Sequence, residues 1–259
     1  MSSAAREIRI CKDAAALASQ TAEEFARLAR ACVAEQGQFA VAFAGGSTPR
    51  AAYTLLASEP YRSQLSWDKI HVFWGDERHV PPDHADSNYR MANEAILSKV
   101  GIPAANIHRI AAEKEAQQAA DEYEAMLRTF FDLAPGEFPC FDLILLGMGP
   151  DGHTASLFPG TAAVHEPTRL MVAPWVEKFK TFRITMTPPV LCNAAHVVFA
   201  AGGADKAETL RQVLHGDYQP DLYPSQVVKP TPGTLLWLVD EAAARHISAT
   251  APPAIGTRT

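Results

Sequence analysis

The segment from Gly147 to Gly160, GMGPDGHTASLFPG, combines glycines with two side chains that can exchange protons, Asp151 and His153. By spacing alone it contains G-x-G-x-x-G, the pattern of dinucleotide-binding turns. Such a turn opens a long helix, whereas Pro150 and Pro159 leave room for little more than a short turn. We therefore predict that the glycines shape a tight turn, which presents His153 as a general base.

A second polar loop, GDERHVPPDHADSNYR, begins directly after the apolar run KIHVFW. Its aspartates and histidines suggest a metal site, but their spacing matches neither H-x-x-x-H nor H-E-x-x-H, and we predict no metal. Asp76 and Arg78 stand nearest the end of the run. Arg78 is suited to hold a phosphate or carboxylate through two hydrogen bonds. Either Asp76 or Asp151 would fix the tautomer of His153.

A third loop, GGSTPR, has the composition of a helix start that binds anions. Gly45 and Gly46 allow a sharp turn, Ser47 and Thr48 can cap a helix, and Pro49 suits the first helical position. The free N–H groups of such a start favour phosphate, although ordinary capping would use the same residues. No G-K-[ST] follows, and Pro49 stands where a nucleophile elbow needs glycine, so neither a P-loop nor a serine hydrolase is favoured.

Two cations stand close to further predicted strands. Lys206, in GGADK, lies at a helix start, where the helix dipole opposes a positive charge unless an anion binds nearby or the side chain points into water. Arg183 leads the strand RITMT, and a charged residue entering a buried strand usually has a partner. From residue type and position alone, both interpretations stay open for each cation: a group that binds an anion, or an ordinary charged side chain.

The elements that position these loops alternate in type. Apolar runs over FAVAF, KIHVFW, FDLILL and HVVFAA predict buried strands, each followed by one of the four loops. Helices are predicted over AAYTLLA, SNYRMANEAILSKV, EKEAQQAADEYEAMLRTFF and DKAETLRQVL, after a long first helix from Ala14 to Glu35 between Asp13 and Gly37. This alternation predicts an α/β fold with a mostly parallel sheet and helices on both faces. The four loops would then meet at one sheet edge.

The chain has 259 residues with no composition break, so we predict a single domain over 1–259 whose tail is frayed from about residue 249. The proline-rich segment HGDYQPDLYPSQVVKPTPG is predicted to be a surface excursion. A net charge of -6 argues against a nucleic-acid partner. Four scattered cysteines, no signal-peptide core and no apolar run of about 20 residues predict a reduced, cytoplasmic protein without a membrane partner.

Four segments together resemble the 6-phosphogluconolactonase family, of the superfamily shared with glucosamine-6-phosphate deaminase. They are FAGGSTPRAAYTLL, FWGDERHVPPDHADSNYRMANEAIL, GMGPDGHTASLFPG and RITMTPPVLCNAAHVVFAAGGADKAETL, and they follow the family's order between about Phe39 and Asp240. The resemblance implies a Rossmann-like sheet, no metal or cofactor, and a phosphorylated sugar lactone as substrate. The implied activity is that of a carboxylic ester hydrolase, which converts 6-phospho-D-glucono-1,5-lactone to 6-phospho-D-gluconate in the oxidative pentose phosphate pathway.

The resemblance also implies roles for individual residues. His153 matches the base that activates water, and Asp76 and Arg78 match an acidic and basic pair beside the substrate. The implied phosphate-binding group consists of Gly46, Ser47, Thr48, Arg183 and Lys206. Many members have a proline-rich stretch before the arginine that matches Arg183, whereas this chain has EKFKTF, so the resemblance does not predict the shape of this loop.

Two alternatives remain at this level. The deaminases of the superfamily resemble DGHIAFNEP, with a glutamate five residues after the histidine, whereas this chain has Phe158 there, which favours the lactonase. A non-catalytic phosphosugar sensor would keep the phosphate groups without needing the base. We expect a monomer or a weak dimer.

Overall fold

The computed structural model describes residues 6–247, and the predicted fraying from about residue 249 lies outside this range. The strands are β1 (Arg6–Cys11), β2 (Phe39–Phe43), β3 (Ile70–Trp74), β4 (Asp76–Arg78), β5 (Leu143–Leu146), β6 (Met171–Val172), β7 (Trp175–Val176), β8 (Thr181–Met186), β9 (His196–Ala201) and β10 (Thr234–Asp240). The α-helices are α1 (Ala14–Gln36), α2 (Ser47–Leu56), α3 (Tyr61–Gln64), α4 (Asn88–Ala92), α5 (Ala116–Phe130), α6 (Pro188–Cys192), α7 (Ala207–His215) and α8 (Glu241–Ala244).

The centre of the molecule is a six-stranded sheet in the order β1-β10-β9-β5-β2-β3, and every neighbouring pair in it is parallel. The predicted α/β, Rossmann-like fold is therefore confirmed. The four strands predicted to precede the polar loops are consecutive neighbours, in the order β9-β5-β2-β3. Because they are parallel, their carboxyl ends meet at one edge, as the sequence predicted.

Helix α1 illustrates how local sequence determines an element. The Asp13 side chain accepts from the Ala16 N–H at its start, and Gly37 ends it in the left-handed conformation. Its apolar stripe is buried on the sheet, where the Phe25 ring packs edge-on against Phe39 at 5.4 Å between centroids. The predicted start of this helix and its two capping residues are confirmed, and the helix extends one residue beyond the predicted Glu35, to Gln36.

A second, small sheet was not predicted. After β3 the chain turns at Gly75, whose N–H donates to the Phe43 carbonyl, and continues as β4. Strand β4 pairs antiparallel with β8, which also pairs with β6 and β7, and this register sets Arg78 opposite Arg183. The small sheet thus brings together two cations from loops about 100 residues apart in sequence.

The proline-rich segment after α7 is only in part the predicted surface excursion. Residues 216–222 are largely exposed, but Pro224, Ser225 and Gln226 are buried. The Ser225 backbone N–H and hydroxyl both donate to the Gly152 carbonyl, at 2.9 and 2.8 Å. The prediction is therefore wrong for this second half, which supports the turn that carries His153.

Within residues 6–247, no helix has both the length and the apolar character needed to cross a bilayer. The four cysteines are free thiols.

Candidate active site

His153 lies in a tight turn that follows β5. The Gly149 N–H donates to the His153 carbonyl at 2.9 Å, and the Gly152 N–H donates to the Gly149 carbonyl at 3.0 Å. A Cβ atom on Gly149 would lie 2.1 Å from His153 Cε1, closer than any side-chain contact allows. The helical element that follows this loop is a single four-residue 3-10 turn, Ala162–His165. A dinucleotide-binding turn would instead lead directly into a long helix. Gly149 therefore leaves the space that the His153 ring occupies. The loop forms the tight turn that the sequence predicted.

Asp151 holds the His153 ring. Its Oδ1 accepts from His153 Nδ1, and its Oδ2 accepts from Lys178 Nζ at 2.9 Å. Burial alone would raise the pKa of Asp151, but the bonds from His153 and Lys178 outweigh it and hold this pKa below its ordinary value. An ionised carboxylate can only accept, so Nδ1 carries the proton and Nε2 is left as the basic nitrogen.

Phe158 covers one face of the histidine ring. The two rings stack with centroids 4.2 Å apart and planes inclined by 25°, and Phe158 itself is buried. The imidazole is therefore confined between a carboxylate on its edge and an apolar wall on its face.

Most of the predicted site residues line one cleft of about 190 Å³ at the carboxyl edge of the parallel sheet. From the predicted set, the lining residues are Gly45, Gly46, Ser47, Thr48, Asp76, Arg78, His153 and Lys206. Asp151 lies behind His153, and Arg183 is not part of the cleft wall in the described structure.

The start of α2 faces this cleft. The helix begins at Ser47, after Gly46 with φ 103°, and Ser47 and Thr48 lie in its first turn, so the prediction that they cap it and that Pro49 comes first is wrong. Among the described residues no side chain caps this helix, because glycine occupies the cap position. Its first N–H groups and the positive end of its dipole therefore remain available to an anion.

Tyr53 and Asn88 fix the glycines that lead into α2. The buried Tyr53 hydroxyl bonds both the N–H and the carbonyl of Ala44, each at 3.0 Å. The Asn88 amide occupies the space beside Gly45, where a Cβ would lie 1.9 Å from Asn88 Oδ1. Gly45 is therefore required by a close approach.

Two cations, Arg78 and Lys206, line the cleft, and Arg183 lies opposite Arg78 in the small sheet. Among the described residues neither Arg78 nor Arg183 forms an ion pair, and Arg78 Nη1 donates to the Asp86 carbonyl at 2.6 Å. Burial and the neighbouring Arg78 lower the pKa of Arg183. Lys206 donates to the Gly202 carbonyl at 2.9 Å and lies 3.4 Å from Asp205. Since no carboxylate of the described residues forms a direct ion pair with either arginine, both are available to an anionic ligand.

Asp76 does not contact His153. Its Oδ2 accepts from the Ser156 hydroxyl at 2.6 Å, and its Oδ1 accepts from Asn88 Nδ2 at 3.3 Å. Of the two carboxylates that the sequence left open, the structure therefore places Asp151 on the histidine ring. Asp76 faces the cleft with its carboxylate held by Ser156 and Asn88, two partners that sequence reasoning missed.

Glu77 is a buried carboxylate that the sequence did not single out. It accepts from the N–H groups of Arg78, Asn88 and Tyr89 and from the Ser87 hydroxyl, at 2.7 to 3.1 Å. Burial raises the pKa of Glu77, although the three N–H donors oppose this effect. The residue joins β4 to the start of α4 and so fixes Asp76, Arg78 and Asn88 relative to one another.

Glu77→Gln is expected to lower the free energy of unfolding by about 2 kcal/mol, because one carboxylate oxygen becomes an amide donor facing N–H groups. Urea unfolding followed by circular dichroism measures this change. Asp83→Asn, on the exposed part of the same loop, is the control and should change stability by less than about 0.5 kcal/mol. Equal stability of the two variants would contradict the structural role of Glu77.

The polar loop after β3 contains several aspartates and histidines, which are residue types that bind metals. Within residues 6–247 no group of three or more His, Cys, Asp and Glu side chains is placed to hold a metal ion. The His79 ring lies 2.8 Å from the Lys114 carbonyl, and His84 Nδ1 accepts from the Asp86 N–H. These histidines have local structural contacts.

Fold and cleft together define a class: a Rossmann-like α/β protein with a histidine–aspartate pair in a cleft bordered by cations and a helix N-terminus. Residues 12–237 match the family model described as glucosamine-6-phosphate isomerases/6-phosphogluconolactonase. The chain belongs to this family.

Relatives of known name agree with this assignment. A 6-phosphogluconolactonase of a Nostoc strain is 43% identical over 244 residues, which cover 94% of this chain and 99% of the relative. A 6-phosphogluconolactonase of a Synechocystis strain is 46% identical over 216 residues, covering 83% and 87% of the two chains. The solved 6-phosphogluconolactonase of Trypanosoma cruzi aligns with a TM-score of 0.85 at 28% identity, over 95% of this chain and 98% of that one.

Proposed function

We propose that this protein hydrolyses 6-phospho-D-glucono-1,5-lactone to 6-phospho-D-gluconate in the oxidative pentose phosphate pathway. The observation that carries the proposal is the His153–Asp151 pair, which faces a cleft bordered by Arg78, Lys206 and the start of α2. The Nostoc and Synechocystis relatives, both named 6-phosphogluconolactonase, support it.

His153 acts as the general base in this proposal. Nε2 takes a proton from water as the water oxygen bonds to the lactone carbonyl carbon, and the C–O bond of the ring then breaks. The imidazolium returns the proton to the departing ring oxygen, so no covalent enzyme intermediate forms. Asp151 accepts from Nδ1 throughout and stabilises the positive ring. Arg78 and backbone N–H groups of the cleft are the available donors to the carbonyl oxygen as it gains negative charge.

The phosphate does not react but positions the lactone. The first turn of α2 and the cations Lys206 and Arg183 supply an electrostatic site for a dianion, although Arg183 must reach it from outside the cleft wall. Binding energy from this remote group holds the carbonyl carbon beside His153. Asp76, fixed by Ser156, presents a carboxylate to the sugar hydroxyls.

Phe158 favours hydrolysis over the isomerase reaction. In the deaminases that resemble DGHIAFNEP, a glutamate at this position supports opening of the sugar ring and proton transfer. Here the position supplies an apolar face against His153, with no group that can exchange a proton. The proposal includes a cytoplasmic location, supported by the four free cysteines, and a monomer or weak dimer.

The test is a lactonase assay with freshly generated lactone, because the lactone also opens without a catalyst. We expect acid release well above the spontaneous rate and no ammonia from glucosamine 6-phosphate. Ammonia and fructose 6-phosphate without lactone hydrolysis would support the deaminase instead. Tight binding of 6-phosphogluconate without turnover of either compound would support a phosphosugar sensor.

A further inference from the structure

The segment EKFKTF, whose shape the family resemblance left open, forms a turn against the back of the active site. Residues Glu177–Phe179 make one 3-10 turn, which ends at Lys180 in the left-handed conformation. Lys178 points from this turn to Asp151, with Nζ 2.9 Å from Oδ2. Asp151 therefore has one partner on each oxygen, Lys178 on one and His153 on the other.

The same turn has a second contact with the surroundings of His153. The Phe179 ring packs edge-on against Phe158, with 5.6 Å between the ring centroids, and the Arg183 guanidinium lies over the Phe179 ring at 5.1 Å from its centroid. Phe158 in turn stacks on the His153 ring. The turn thus contacts both groups that confine the imidazole, its carboxylate partner and its apolar wall.

We propose that Lys178 is a positioning residue for His153, acting through Asp151. By binding one oxygen of Asp151 it directs the other at Nδ1, and its charge offsets part of the negative charge beside the imidazole. The expected effect of Lys178 on turnover rests on the proposed lactonase function. Its effect on the orientation and protonation of the His153 ring does not depend on that function.

The direction of the electrostatic effect follows from the groups that face His153. Asp151 bonds to the edge of the imidazole, and Lys178 pairs with the other oxygen of Asp151. Phe158, which stacks on the face of the ring, is uncharged. The other charged groups of the cleft that His153 lines are Asp76, Arg78 and Lys206. Removal of Lys178 leaves Asp151 without its cationic partner. The protonated imidazole then becomes more favourable, and a smaller fraction of the ring is basic at a given pH.

The experiment compares Lys178→Met with Lys180→Met, which removes the same charge two residues away in the same turn, from a side chain with no ion pair to Asp151. We expect Lys178→Met to lower kcat about tenfold with KM changed less than about twofold. The acidic limb of its kcat/KM profile should move to higher pH by about half a unit. Lys180→Met should match the parent, and Lys178→Arg should restore kcat to within about threefold.

Two results would overturn the proposal. A raised KM with unchanged kcat would make Lys178 a substrate-binding group. If Lys178→Met and Lys180→Met have the same kcat and the same pH profile, Lys178 does not position His153. If the parent protein does not hydrolyse the lactone, NMR titration of the His153 ring, assigned with His153→Gln, decides separately. A titration midpoint of His153 that rises in Lys178→Met and not in Lys180→Met supports the positioning role. A midpoint that does not move in Lys178→Met rejects it. The failed lactonase assay would then count against the proposed function alone.

Discussion

Replacing His153 with alanine is expected to lower kcat for lactone hydrolysis by about 10³-fold. The substitution removes the proposed general base, whose ring is held by its bond to Asp151 and by the Phe158 stack. Arg78, Lys206 and the α2 start remain, so the substrate still binds and only the proton transfer is lost. Initial rates with freshly prepared lactone, corrected for spontaneous opening, measure the effect.

Binding and stability are the controls for His153→Ala. Calorimetric titration with 6-phosphogluconate should give an affinity within about threefold of the parent, because the proposed phosphate-binding groups are unchanged. His153 is a quarter exposed, so thermal unfolding should change little. Unchanged kcat would exclude His153 as the base, and a large loss of affinity with modest loss of kcat would assign it to binding.

Gly149→Ala is expected to lower kcat about 10²-fold with little loss of stability. The new Cβ would lie 2.1 Å from His153 Cε1 and 2.2 Å from Nδ1, and 2.8 Å from Asp151 Oδ1. The neighbours in conflict are side-chain atoms, so the ring can swing away while the backbone turn stays formed. The bond between His153 and Asp151 is then broken, and a misplaced base transfers protons poorly.

The matched control is Gly75→Ala, which follows β3 at the same edge of the parallel sheet. A Cβ there meets its nearest atom, the Phe43 carbonyl oxygen, at 3.8 Å, which is ordinary contact. We expect this variant to keep most of the activity. Histidine NMR spectra should show a displaced His153 signal in Gly149→Ala alone. Full activity of Gly149→Ala would show that the turn tolerates a side chain and that the ring position is less restricted than described.

The features that were predictable from sequence depend on neighbours in the chain. The ends of α1 follow from Asp13 and Gly37, and β2, β3, β5 and β9 follow from short apolar runs between polar loops. Parallel strands then bring four loops to one edge, which is why most of the site could be located without coordinates.

The features that were missed depend on partners far away in the chain. Strand β4 has only three residues and forms because β8 pairs with it. The same pairing sets Arg183 opposite Arg78, which local sequence could not predict. The Asn88 amide beside Gly45 and the Ser225 contacts to the Gly152 carbonyl likewise join distant segments. Glu77 was not singled out because its four donors come together only when the loop folds around it.

The position of β1 at the edge of the parallel sheet affects how the chain folds during synthesis. Its partner in the sheet is β10, so residues 6–11 must wait for residues 234–240 to leave the ribosome before they can form their ladder. Until then β1 and the neighbouring edge of β9 expose unpaired backbone groups. A nascent chain stalled before residue 234 would therefore be a preferred client for chaperones that bind extended segments.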